Sequence, residues 1–185
     1  MCIRDSLHKY GYAAKGASTV LHRTPEQHVH QTFSAADWPA GAMTTPTVAG
    51  TRPGGAIASA WAVLHFLGVD GYRDRTRRII SAREKIEAGI QALGLQVYGA
   101  PKLALISFGA AEGDDLPIYT VWKTLHDRGW FSGVVANPNG IHLMLSPSHV
   151  EVADDYLTDL RDAVEAARGD GPPSSGEEAA PTRYA

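Results

Sequence analysis

The most reactive pattern in this chain lies near its beginning, where residues 8–16 read HKYGYAAKG. Lys9 follows His8 and precedes small residues, which let a backbone and a ligand approach each other closely. A lysine in such surroundings can form a Schiff base with an aldehyde cofactor. The residue types alone also allow an ordinary solvated lysine, because most lysines of any protein lie on the surface.

The composition is that of an ordinary globular chain of 185 residues, of which 44% are hydrophobic. The formal net charge of -3 predicts no general attraction to nucleic acid or to an anionic membrane, and the apolar stretch 61–67 is too short to cross a bilayer. Cys2 is the single cysteine, which excludes an intramolecular disulfide and suits a reducing compartment. We therefore expect a cytoplasmic protein with neither nucleic-acid nor membrane partners.

The elements that would position Lys9 are predicted from the periodicity of apolar residues. Residues 18–21 form a short β-type run, and the segment 24–38 is predicted to be irregular. One helix is predicted from Gly55 to Gly68, and a longer one from Tyr72 to a stop at Gly94. The apolar residues of the first helix are Ile57, Trp61, Leu64 and Leu67, and those of the second are Ile79, Ile86, Ile90 and Leu93.

Beyond Gly94 the pattern changes to short β-type runs at 95–98, 103–108, 131–136 and 141–145, with helices at 118–128 and after Ser148. The predicted order of this part is β-β-α-β-β-α. Ser148 and Glu151 have the spacing of a capping box at the start of the last helix. Its inner face is predicted to consist of Val152, Tyr156, Leu157, Leu160 and Val164. The tail 169–185 is rich in proline, serine, glycine and glutamate, and it is predicted to be disordered.

The string from His8 to Ser18 resembles the cofactor segment of the pyridoxal-phosphate (PLP) dependent group II decarboxylases, most closely the sphingosine-1-phosphate lyase branch. Further matches follow in the same order along the chain: Gly50-Thr51-Arg52-Pro53-Gly54, Trp61-Ala62, Leu67-Gly68 with Gly71-Tyr72, Arg128-Gly129-Trp130, Pro138, Ile141-His142 and His149. The resemblance implies the fold class α/β. The chain would be a fold-type I transferase-like fragment, with the end of the large domain and the C-terminal small α+β domain.

On this resemblance, residues 7–78 form the end of the large PLP-binding domain and the start of the linking helix, and residues 79–168 form the small domain. The residues that hold the cofactor ring in such enzymes precede the lysine. The resemblance therefore implies a truncated chain whose residues 1–6 are not native. Such a fragment would expose apolar surface and would be inactive alone.

The resemblance also assigns roles to individual residues. Lys9 would bind PLP covalently, and His8 would lie against the cofactor phosphate. Thr51, together with Gly50, would reach the phosphate of the cofactor held by the partner subunit of a homodimer. Lys15 would meet a phosphate on the amine substrate, a contact for which a flexible cationic side chain is suited.

Other residues of these segments leave alternatives open. Arg52 could hold a substrate anion or brace the loop that contains Thr51. Tyr10 and Tyr12 could line the substrate pocket, although tyrosines beside glycine are more often structural. No metal site is predicted, because the histidines of the segment 22–30 lack further ligands.

Three functions are compatible with these residues. Lys15 favours a lyase that cleaves a carbon–carbon bond of a phosphorylated 2-amino-alcohol and releases an aldehyde and an aminoalkyl phosphate. An alternative is a PLP-dependent L-amino acid decarboxylase, in which Arg52 could anchor the substrate. A further alternative is a non-catalytic small-domain module, which the apolar segment 57–67 disfavours because such a module needs a polar face there.

Overall fold

The computed structural model describes residues 2–169 and divides the chain into two compact units, of which the first ends at Tyr72 and the second begins at Arg73. Met1 of the expected non-native start and residues 170–185 of the predicted disordered tail lie outside the described residues. Residues 2–5 form a strand, and Gly169, the first residue of the predicted tail, is helical. The assignment of 7–78 and 79–168 to a large and a small domain stays a prediction.

Two strand pairs and a short helix precede the long helix of the first unit. β1 (Cys2–Asp5) pairs antiparallel with β2 (Thr19–His22). α1 (Pro25–Val29) follows, and then β3 (Phe33–Ala35) pairs antiparallel with β4 (Met43–Thr45). Because Asp5 lies opposite Thr19, the β1–β2 pair holds together both ends of the segment that contains Lys9 and Lys15.

The segment 24–38 was predicted to be irregular, and this was wrong. Pro25 is the first residue of α1, where its fixed φ suits a helix and its missing N–H is no loss. The Thr24 hydroxyl caps this helix by accepting a hydrogen bond of 3.4 Å from the Gln27 N–H. A helix of five residues is too short to show an apolar period, so only the Thr-Pro pair signals it.

The two helices predicted around Gly68 form one long element, α2 (Gly54–Ala92). Gly68 interrupts it with φ 57° and ψ -173°, a conformation that residues with a side chain rarely adopt. The predicted end of a helix at Gly68 therefore corresponds to a real break in the helical backbone. The boundary between the two units lies within α2, after Tyr72.

The second unit contains the rest of α2 and a four-stranded antiparallel sheet with two helices. Its elements are β5 (Gln96–Val97), β6 (Leu105–Gly109), α3 (Ile118–Asp127), β7 (Gly133–Ala136), β8 (Asn139–Met144) and α4 (His149–Gly169). The strands are ordered β5-β6-β8-β7, and α3 packs against β8 and α4. The predicted order β-β-α-β-β-α is confirmed.

The core of the second unit lies between one face of the sheet and the helices. Ile86 and Ile90 of α2 pack with Phe108 and Ile141 of the sheet and with Leu160 of α4, and all five side chains are fully buried. Full burial of such a side chain stabilises a fold by roughly 1.5–3 kcal/mol. The apolar residues that repeat at helical spacing in α2 beyond Tyr72 therefore face the core, as the sequence predicts.

Two features of α4 differ from the prediction. Val152 is exposed, and the inner face is completed by small residues, among them Ala153, Ala163 and Ala167. The capping box does not form as predicted, since the Glu151 N–H bonds to the Ser148 carbonyl and the Glu151 carboxylate pairs with Arg78 at 2.6 Å. The ion pair from α2 competes for the glutamate that would otherwise cap the helix.

Tyr98 covers a part of the sheet that has no side chains. Its hydroxyl donates a hydrogen bond of 2.6 Å to the Asn139 carbonyl, and its ring lies across Gly109 and Gly140. A Cβ at Gly109 would come within 2.5 Å of the Asn139 carbonyl oxygen, and one at Gly140 within 2.5 Å of the Phe108 carbonyl oxygen. Both glycines are therefore required by the backbone as well as by the ring.

The first unit, in contrast, buries few apolar side chains. Its buried hydrophobic residues are Ala17 and Ala60, whereas Val48, Trp61 and Phe66 are exposed by 107%, 65% and 85%. The apolar face predicted for the first part of α2 thus exists but is not covered within the described chain. Among residues 2–169, no helix combines the length and the apolar character that crossing a membrane requires.

Candidate functional site

Lys9 lies in a loop of consecutive turns between β1 and β2, here called the lysine loop (residues 6–18). Three backbone hydrogen bonds of 3.0 Å close these turns: Lys9 N–H to the Ser6 carbonyl, Tyr12 N–H to the Lys9 carbonyl and Ala13 N–H to the Leu7 carbonyl. The lysine loop therefore satisfies much of its own backbone, and the Lys9 side chain is exposed.

The turn after Lys9 depends on Gly11 and on an unusual conformation of Tyr12. A Cβ at Gly11 would lie 2.5 Å from the Leu7 carbonyl oxygen, so only glycine fits there. Tyr12 has φ 57°, the one positive φ of a non-glycine residue among residues 2–169. Such a conformation costs on the order of 1–3 kcal/mol and persists only where the surroundings hold it.

Contacts with α2 hold the lysine loop from outside. The Tyr72 hydroxyl donates a hydrogen bond of 2.8 Å to the Gly11 carbonyl, and the rings of Tyr72 and Tyr12 lie 6.3 Å apart. The Ala14 N–H donates a hydrogen bond of 3.2 Å to the Ser59 hydroxyl. These residues lie on both sides of the break at Gly68, and all of them belong to the first unit.

The lysine loop presents two cationic side chains without protein partners. Both Lys9 and Lys15 are exposed, and in the described part of the chain neither ammonium group has an ion pair or a hydrogen bond. The neighbouring His8 is half-buried, and its Nδ1 is buried without a hydrogen-bond partner. The loop thus offers an amine that can react with an aldehyde, a second ammonium group and an imidazole with an unmet hydrogen bond, and side chains of these types can bind phosphate groups.

The predicted tyrosines of the lysine loop are both partly exposed. Burial, and secondly the neighbouring Tyr12 hydroxyl, raise the pKa of the Tyr10 phenol above its usual value, so Tyr10 is neutral at physiological pH. Tyr12 packs its ring towards Tyr72 and therefore has a structural contact. A pocket-lining role for either residue stays a prediction.

The second predicted segment lies in a separate loop before α2. Gly50 has φ 54°, Thr51 is exposed, and the Arg52 guanidinium donates a hydrogen bond of 2.6 Å to the Gly50 carbonyl. Of the two alternatives for Arg52, the bracing contact is thus present. Within residues 2–169, neither Thr51 nor Arg52 forms a hydrogen bond with the lysine loop, and the predicted contact of Thr51 with a partner's cofactor stays a prediction.

A hydrogen-bonded chain links β2 to Pro46, the residue that follows β4. His22 Nε2 lies 2.7 Å from the Gln31 side-chain oxygen, and the Gln31 amide donates a hydrogen bond of 2.9 Å to the Pro46 carbonyl. A carbonyl can only accept, so the amide orientation makes His22 Nε2 the donor. The contacts of Gln31, Ser59 and Tyr72 could not be predicted from the sequence, because each residue acts on another that is distant along the chain.

No protein-family model matches the chain. The chain is 39% identical over 175 residues to the sphingosine-1-phosphate lyase of Arabidopsis thaliana, a match that covers 94% of this chain and 32% of the relative. It superimposes on the solved sphingosine-1-phosphate lyase of Burkholderia pseudomallei with a TM-score of 0.83 and 34% identity, over 92% of this chain and 38% of that one. The chain thus spans about a third of the length of the curated relatives that it matches.

A more distant structure supports the fold. The glutamate decarboxylase of Lactobacillus brevis matches with a TM-score of 0.70 and 19% identity, over 90% of this chain and 40% of that one. The expected fold-type I PLP-dependent fold, present as a part of a larger one, is therefore confirmed. Over the residues that it spans, the chain is similar in both sequence and structure to sphingosine-1-phosphate lyases.

Proposed function

We propose that this chain carries the cofactor-lysine segment of a PLP-dependent lyase that acts on phosphorylated 2-amino-alcohols. The observation that supports it most directly is the exposure of two unpaired ammonium groups, Lys9 and Lys15, from one loop beside His8. The similarity to sphingosine-1-phosphate lyases supports the same assignment.

The residues of the lysine loop fit PLP. Lys9 would hold the aldehyde carbon through its Nζ, and His8 would meet the phosphate through a ring nitrogen. When bound, PLP supplies an electron sink for the bond that breaks at the amine-bearing carbon of the substrate. The fit is supported by the closeness of these groups in the chain, because the amine of Lys9 and the imidazole of His8 belong to adjacent residues of one hydrogen-bonded loop.

The selection of the bond that breaks is the task of the substrate contacts, because orientation decides which bond faces the electron sink. Lys15 would bind the substrate phosphate through charge-assisted hydrogen bonds and thereby fix the far end of the amino-alcohol. Cleavage then converts the carbon that bears the hydroxyl into an aldehyde. The hydroxyl loses its proton, the adjacent carbon gains one, and an aminoalkyl phosphate leaves.

We also propose a homodimer in which Thr51 reaches the partner subunit's cofactor phosphate. The loop that contains Thr51 is exposed, and the neighbouring Val48 has no cover within the described residues. A cytoplasmic location is proposed from the single cysteine. Sedimentation of the chain at several concentrations and fractionation of cells test these two points.

Reductive trapping tests the assignment of Lys9. The chain is incubated with PLP, reduced with borohydride and digested, and the pyridoxyl group is located by mass spectrometry among the five lysines 9, 15, 85, 102 and 123. We expect strong preference for Lys9, loss of that label in Lys9→Arg and no change in Lys102→Arg. Equal labelling of all five lysines would contradict the proposal.

A chimaera tests the reaction. Residues 7–168 replace the matching segment of the Burkholderia pseudomallei lyase, to which the chain is similar over most of its length. We expect cleavage of a phosphorylated 2-amino-alcohol and no cleavage after Lys9→Ala. A folded chimaera that decarboxylates an L-amino acid instead would favour the alternative function.

A further inference from the structure

Tyr72 makes a contact that the proposed reaction does not use. It stands four residues after the break in α2 at Gly68 and donates its hydroxyl proton to the Gly11 carbonyl, 2.8 Å away. Gly11 lies two residues after Lys9, in the turn that closes over the Lys9 backbone. Tyr72 is therefore bonded to the backbone that carries the cofactor lysine.

The lysine loop needs such a contact because its own geometry is costly. Tyr12 occupies a left-handed conformation, and the loop closes so tightly that Gly11 has no room for a Cβ. Backbone hydrogen bonds within the loop do not select this arrangement alone, since a residue with a side chain prefers negative φ. The ring of Tyr72 lies near the strained Tyr12, and the Tyr72 hydroxyl binds the carbonyl of the tightly packed Gly11.

We propose that Tyr72 is a positioning residue that holds the lysine loop in the conformation from which Lys9 meets PLP. The role of Lys9 in this inference rests on the proposed function, whereas the contact between Tyr72 and Gly11 is independent of that function. Ser59 provides a second attachment, since its hydroxyl accepts the Ala14 N–H at 3.2 Å. The break at Gly68 lies between these two attachments, and glycine permits the backbone conformation found there.

Tyr72→Phe isolates the hydroxyl, because the ring and its contact with Tyr12 remain. In hydrogen exchange of the 185-residue chain, we expect the Tyr12 and Ala13 amides to exchange about two- to tenfold faster, the factor that one neutral hydrogen bond supplies. Ser59→Ala should accelerate the Ala14 amide by a similar factor. The control is Tyr119→Phe, which removes a hydroxyl bonded to the Val135 carbonyl in the second unit and should leave the lysine loop unchanged.

A titration with PLP separates positioning from plain stabilisation. The signal of the Lys9 adduct is its absorption band after subtraction of the band seen in Lys9→Arg. We expect the PLP concentration at half-maximal signal to rise about two- to tenfold in Tyr72→Phe and to stay unchanged in Tyr119→Phe. Unchanged exchange in the lysine loop overturns the inference. Faster amide exchange in Tyr72→Phe together with an unchanged PLP affinity at Lys9 also overturns the inference, because Tyr72 would then stabilise the loop without positioning Lys9. If the chimaera with the Burkholderia pseudomallei lyase forms no adduct at Lys9, the proposed function fails, and faster exchange in Tyr72→Phe still supports the hold on the loop.

Discussion

The indole Nε1–H of Trp130 donates a hydrogen bond of 2.7 Å to the Asp159 carboxylate on α4. The other carboxylate oxygen lies 2.6 Å from the Arg128 guanidinium, which also reaches Asp162 at 3.2 Å. Trp130 further packs edge-on against Tyr156. The Arg128-Gly129-Trp130 motif thus attaches the end of α3 to the middle of α4.

This attachment predicts a pH dependence of stability. The Trp130 hydrogen bond, and then the Arg128 guanidinium, lower the pKa of Asp159 below its usual value. A carboxylate with a lowered folded pKa stabilises the fold above its unfolded pKa of about 4, and this contribution is lost as the pH falls through the folded pKa. In urea unfolding from about pH 6 to about pH 2, wild type should therefore lose stability more steeply than Asp159→Asn.

Asp155→Asn provides the matched control for that titration, since Asp155 is an exposed carboxylate of the same helix. It should follow the wild-type curve. Parallel curves for wild type and Asp159→Asn would show that the carboxylate does not contribute through its charge.

Lys15→Ala in the chimaera should weaken binding of the phosphorylated amino-alcohol. Loss of a charge-assisted contact predicts an increase in KM of about 10- to 100-fold, with little change for a substrate analogue that lacks the phosphate. Steady-state kinetics with both compounds measure the difference, and Lys102→Ala is the control on an exposed lysine of the second unit. An equal increase in KM for both compounds would mean that Lys15 does not bind the substrate phosphate.

Gly11→Ala should disrupt the lysine loop without unfolding the second unit. The new Cβ would meet the Leu7 carbonyl oxygen at 2.5 Å, and backbone atoms cannot turn aside as a side chain can. We expect loss of the preferential PLP label at Lys9, measured by reductive trapping. Gly54→Ala, where a Cβ meets nothing within 4 Å, should keep the label. Retention of the label in Gly11→Ala would mean that the loop geometry does not matter for Lys9.

The two parts of α2 should respond differently to the same substitution. Ile86 is 1% exposed, and Ile86→Ala is expected to lower the free energy of unfolding by about 2–5 kcal/mol. Ile57 is 54% exposed, and Ile57→Ala in the isolated chain should change it by less than about 0.5 kcal/mol. Urea denaturation followed by circular dichroism measures both, and a large effect at Ile57 would indicate that this face is covered in solution.

The second unit was predictable because its elements carry local signals. Ile79, Ile86 and Ile90 repeat at helical spacing and face the core, and the short β-type runs correspond to strands. The errors come from competition that a local pattern does not show. Arg78 takes the Glu151 carboxylate from the expected capping box, and alanines replace Val152 on the buried face of α4.

The candidate site was predictable only in part. His8, Lys9 and Lys15 could be singled out as candidates because they lie together in one short string, and the structure presents them from one loop. Tyr72 and Ser59 are separated from their partners by 61 and 45 residues, so no spacing rule points to them. Contacts of this kind follow from how β1, β2 and α2 meet, which a pattern along the chain does not contain.

The glycines at 109 and 140 are constrained twice, by the Tyr98 ring and by facing carbonyl oxygens, whereas Tyr98 is held by its own packing and by one hydrogen bond of its hydroxyl. The order in which these positions can change is therefore asymmetric. A descendant of this sequence can lose the aromatic ring and keep both glycines, but loss of the ring makes no room for a side chain at either glycine. Both glycines should consequently outlast the ring that they accommodate.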